Sequence, residues 1–119
     1  MNQVVTPMMI EKRLKDLSHE VDASHTELAD AERNYFEVKA RYELALAHAR
    51  LSVANKKDMK VTVSDKADLA LVSTEDLHMR MATAEALVRA ARANASRIRT
   101  QVDIARSIGT SVRTSMDLA

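Results

Sequence analysis

The sequence has no cysteine and no tryptophan, one glycine, one proline, two tyrosines and one phenylalanine. Without cysteine there is no disulfide framework, no thiolate nucleophile and no cysteine-based zinc site. One glycine cannot build the glycine-rich loop that cradles phosphates. Sheets and barrels need turn residues and β-branched or aromatic strands, so with Gly109 and Pro7 alone as punctuation the chain reads as nearly all helix. Few aromatics also imply a thin core, held by a long seam of Leu, Val, Ile, Met and Ala.

Long hydrophobic runs are missing too. No segment approaches the ~20 apolar residues that span a bilayer. The start, MNQVVTPMMIEKR, has no basic region ahead of its short apolar run. The expectation is a soluble, unprocessed, cytoplasmic chain with no membrane partner.

What the sequence does have is a heptad pattern. On the first half apolar positions step by four and three through Ile10, Leu14, Leu17, Val21, Ser24, Leu28, Ala31, Tyr35, Val38, Tyr42, Ala45 and Ala49, interrupted only by Ser24. The same steps return through Leu77, Met81, Ala84, Val88, Ala91, Ala95, Ile98, Val102, Ala105, Gly109, Val112 and Met116. Between them NKKDMKVTVSD gathers polar residues. Thr6 ahead of Pro7 suits a first helical turn, Ser64 or Thr62 can cap a second helix, and Ser73 ahead of Asp76 is a further start signal.

These signals predict helix one over about 8–54, a connection over about 55–64 and helix two over about 65–116, beginning near 65 or kinked near 73. The predicted fold class is all-α: a single domain, residues 1–119, forming a long antiparallel two-helix coiled-coil hairpin that assembles into a four-helix bundle or larger oligomer. With the turn near residue 60, facing residue numbers sum to about 119, which sets Tyr35 near Ala84, Leu28 near Ala91 and Val21 near Ile98. Large residues then meet small ones, as close packing requires.

A second apolar stripe, Phe36, Ala40, Leu44, Ala47 and Leu51, lies off the seam of helix one, and Leu87, Ala90, Ile104 and Ile108 lie off that of helix two. A hairpin buries one stripe per helix, so the leftover residues point to another copy or a protein partner. Phe36, Leu44, Leu51, Leu87, Ile104 and Ile108 are the expected oligomer interface.

The 18 basic and 17 acidic side chains nearly cancel, but not evenly. Residues 88–116, VRAARANASRIRTQVDIARSIGTSVRTSM, hold six arginines against Asp103 alone. Arg92, Arg99, Arg106 and Arg113 recur every seventh residue and so form one line beside the seam. Flanking positions of coiled coils are normally charged and pair across the interface, and the register sets Glu11 near Arg106. Ser18 and His25 stand opposite Arg99 and Arg92 instead of acids. The alternative reading is a nucleic-acid contact, since arginine interleaved with Ser, Thr, Asn and Gln suits phosphate backbones. Missing stacking aromatics and the lack of any known DNA-binding motif weigh against it.

Glu75 and His78 form one E-x-x-H, where a di-iron bundle needs two such pairs and further glutamates. His19 beside Asp16 and Asp22, and His25 beside Asp22, read as solvated surface side chains. No cofactor, metal or catalytic residue is expected, and the chain reads as a non-enzymatic protein-interaction module. A component of a virion is a third alternative. Seven charges at the connection, Lys56, Lys57, Asp58, Lys60, Asp65, Lys66 and Asp68, read as a solvated tip.

The runs ARYELALAHARLSV, KVTVSD, AEALVRAAR and DIARSIGTSVR resemble those of small uncharacterised helical, coiled-coil proteins of tailed phages of actinobacteria. The similarity covers most of the chain. It implies a cytoplasmic setting in an infected host bacterium and supplies no site residues.

Overall fold

The computed structural model describes residues 4–55 and 62–118. The described residues are all-α, with α1 over Pro7–Ala54, α2 over Val63–Ser73 and α3 over Glu75–Leu118. Lys56, Lys57, Asp58 and Lys60 of the connection lie outside the described residues.

Local chemistry sets the helix ends. Pro7 opens α1, where a missing N–H costs nothing, and the Met9 N–H donates to Thr6 Oγ1 at 3.2 Å. Of the two candidate caps for the next helix, Thr62 is the one in place: its extended backbone frees Oγ1 to accept the Asp65 N–H at 3.1 Å. Helix therefore starts at Val63, two residues earlier than expected, because a β-branched residue in the first turn meets no preceding turn to crowd.

The expected second start signal works differently. The Ser73 hydroxyl donates back to the Ala70 carbonyl at 2.9 Å, and Thr74 is the residue that leaves the helix. Its Oγ1 donates to the Ala70 and Leu71 carbonyls at 3.0 and 3.1 Å, while its own carbonyl accepts the His78 N–H at 3.0 Å. A buried polar residue thereby closes α2 and opens α3 with its hydroxyl satisfied. Helix two is thus two helices, broken at one residue.

Packing divides the chain into two compact units. The first joins the chain through Ala29 with the chain from Ala90 onward; the second is Asp30–Arg89. In each, a segment of α1 lies antiparallel to a segment of α3, as the hairpin requires.

The first unit is built on Leu17, Ile98 and Ala105, with Leu14, Val21 and Val102 packed against them. Val21 thus meets the Ile98 cluster as the register demands. Leu17 is fully buried, which stabilises the unit by about 2 kcal/mol through the apolar area removed from water. Ile10 faces Gly109, whose numbers sum to 119. Ser24, the one polar residue on the seam, is buried and donates its hydroxyl to the Val21 carbonyl at 2.8 Å, so it leaves no orphan donor. On one flank Arg13 donates to Gln101 Oε1 at 3.0 Å and lies 3.6 Å from Glu20.

The second unit buries Tyr42, Ala70, Thr74, Ala84 and Val88. The Tyr42 ring packs 5.3 Å from the His78 ring at a 58° tilt. That contact has the same register, since the two numbers sum to 120. The buried side chains of this unit thus combine a tyrosine of α1 with small residues of α2 and α3, the mixture of large and small that dense packing selects.

Along both helices every heptad position named above is buried or half-buried except Met116. Met116 is exposed.

Candidate interaction surfaces

The seam consumes one face of each helix, and function must lie on what is left. Phe36, Leu44, Leu51, Leu87, Ile104 and Ile108 are all on the outside, between 41% and 63% exposed. Phe36, Leu44 and Leu51 share one face of α1 within the second unit, and Leu87 lies on α3 of that unit. Ile104 and Ile108 sit one turn apart on α3 in the first unit. Phe36 has a partial partner in Tyr35, the ring centroids 5.4 Å apart and tilted by 58°, and Lys39 Nζ lies 6.0 Å from the Tyr35 ring.

The four arginines of the line, Arg92, Arg99, Arg106 and Arg113, are all exposed and all belong to the first unit. Successive members rise by about 10.5 Å along the helix. Arg99 and Arg106 border a shallow groove with Val21, Ser24, His25, Ala95, Val102 and Asp103. Arg106 and Arg113 border a second with Glu11, Ile10 and Gly109. The register's placement of Glu11 beside Arg106 is therefore met at the level of a shared groove.

Charge pairing along the line is sparse. Arg33 pairs with Asp30 at 3.4 Å and Arg89 with Glu85 at 2.6 Å, both joining neighbours on one helix and both off the line. Arg113 Nε donates to the Gly109 carbonyl at 3.4 Å, and Arg92 has an interaction partner of its own. Arg97, off the line, donates to Asn94 Oδ1 at 2.9 Å.

Sequence reasoning missed two apolar surfaces. In the first unit Val4, Val5 and Pro7 line an open groove with Val112 and Met116. In the second, α2 buries Ala70 but leaves Val63, Leu69, Leu71 and Val72 exposed. The signal for the second was the LALV run, which has more apolar residues than one buried stripe of an 11-residue helix can use.

His78 is taken up by its contact with Tyr42. Among the described residues no group of three or more His, Asp or Glu stands close enough together to hold a metal ion. No described helix is long and apolar enough to cross a membrane. No protein-family model, no curated protein and no solved structure matches the chain.

Proposed function

We propose that this chain is a non-enzymatic helical interaction module, one that self-associates and serves as an adaptor or modulator of another protein. Its setting, on the resemblance drawn from the sequence, is the cytoplasm of a phage-infected bacterium. One observation carries the reading: with the seam already filled, Phe36, Leu44 and Leu51 still stand exposed on a single face of α1. Scattered surface leucines are ordinary, but a row of large apolar side chains on one face marks a contact surface. Homo-oligomers are the commonest way such a face is covered.

A second reading has its own support. Arg99 and Arg106 make no ion pair among the described residues, although they lie two turns apart on the same line. Unpaired guanidiniums at regular spacing suit a nucleic-acid backbone, and such binding weakens steeply with salt as counterions are released.

Light scattering on a size-exclusion eluate separates the two. The protein is run in about 50 mM and about 500 mM salt, with and without a short single-stranded oligonucleotide. Self-association predicts an oligomer whose mass is the same at both salts and unchanged by the oligonucleotide. A complex that forms only at low salt supports the nucleic-acid reading, and a monomer under all four conditions removes self-association.

A further inference from the structure

The outward position of α1, one side chain in every seven, reads Lys12, His19, Thr26 and Arg33, and then Ala40, Ala47 and Ala54. The change to alanine coincides with the appearance of large apolar neighbours. Phe36, Ala40, Leu44, Ala47, Leu51 and Ala54 follow at steps of three and four, and at 3.6 residues per turn they fall within an arc of about 80°. The seam residues of the same stretch, Val38, Tyr42, Ala45 and Ala49, centre on the opposite side of the helix. All six residues of the outer face are exposed, and all belong to the second unit.

Taking self-association as given, we propose that this face of α1 pairs antiparallel with the same face of a second copy, about a two-fold axis level with residues 45 and 46. The pattern is self-complementary in size. Phe36 then meets Ala54 of the second copy, Ala40 meets its Leu51, and Leu44 meets its Ala47, so every large side chain falls on a small one. Alanines at these positions let the helix axes approach to about 8 Å, the close end of the usual range.

Charge agrees with the same register. Glu43 and Arg50 lie on one edge of the face, both are exposed, and neither has an ion-pair partner among the described residues. In the antiparallel pair Glu43 of each copy comes beside Arg50 of the other. Rim pairs of this kind add little affinity but penalise wrong registers. Sliding the copies by one heptad would set Leu51 against Arg33, whose guanidinium is held by Asp30. The two-fold arrangement is isologous and closed, so it yields a dimer and not a filament.

Two variants test the face and the register in the full-length chain by sedimentation equilibrium. Ala47→Glu puts a carboxylate into the closest contact of the dimer while remaining an exposed helix former in the single chain. It should weaken dimerisation by about a hundredfold or more with helicity unchanged. The sequence has no native cysteine, so Ala40→Cys/Leu51→Cys gives a clean cross-linking pair. Eleven residues apart on one helix, these two thiols stand about 16 Å from each other and cannot bridge within a chain. Oxidation should give a covalent dimer, whereas Arg33→Cys/Leu51→Cys, whose thiols meet only if the copies slide by one heptad, should give none. An oligomer that survives Ala47→Glu overturns the face, and cross-linking through positions 33 and 51 overturns the register; both leave self-association intact. A wild-type chain that stays monomeric overturns the pairing and the self-association together.

Discussion

Ile10 and Gly109 face each other across the first unit so closely that a Cβ built on Gly109 would lie 3.0 Å from Ile10 Cγ2. Gly109 has no left-handed backbone to justify it. Its role is steric, since it gives α1 and α3 room where Ile10 fills the seam.

Alanine in place of Gly109 should therefore act through Ile10. Glycine within a helix costs about 1 kcal/mol relative to alanine. In the Ile10→Ala background Gly109→Ala should recover about that amount. In the wild-type chain the crowding of Cγ2 should cancel most or all of the gain. A double-mutant cycle by urea denaturation measures the coupling, and equal effects in the two backgrounds would remove the contact from the account.

Leu17→Ala should be the costliest single truncation in the first unit, at about 2–5 kcal/mol, because Leu17 is fully buried against Ile98 and Ala105. Leu44→Ala, on an exposed face, should cost the single chain well under about 1 kcal/mol. Thermal melts at concentrations low enough to suppress association give both numbers.

Thr62→Ala removes the acceptor for the Asp65 N–H and should destabilise the start of α2 by about 1 kcal/mol. Amide exchange at Asp65 and Lys66 should speed up while that of α1 stays as it was. Uniform acceleration along the chain would mean that the cap stabilises the whole fold and not its own helix.

Reversing Arg99 and Arg106 to glutamate should leave helicity unchanged, since both are exposed and make no ion pair among the described residues. If the line grips nucleic acid, the double reversal should abolish oligonucleotide binding at about 50 mM salt and flatten its salt dependence. Binding that persists in the variant assigns it to another surface. Filter retention or fluorescence anisotropy reads either result.

Much of this was legible in the chain. The heptad steps located nearly every buried residue, because a seam between two helices depends on spacing alone, and the register followed from placing the turn. Ser24 was legible as an interruption but not as a satisfied one, since its bond to Val21 is a matter of rotamer. The junction at Thr74 was harder to read. Ser73 and Thr74 are both able to bond back to the helix, and only packing, which buries Thr74 and leaves Ser73 outside, decides which one leaves it. The grooves at Val4 and Met116 and the outer face of α2 depend on where helices end, which periodicity fixes least well.

The arginine line shows the opposite limit. Its spacing and exposure follow directly from the sequence, yet pairing depends on which carboxylates come within reach. Glu11 shares a groove with Arg106, while the Arg13–Glu20, Arg33–Asp30 and Arg89–Glu85 pairs lie off the line.

Sedimentation equilibrium of the wild-type chain over a concentration series reaching high micromolar tests the central claim most directly. The account predicts a reversible dimer whose mass is insensitive to salt, as expected when apolar faces and not charges hold the copies together. A single species of monomer mass across the whole series would contradict it.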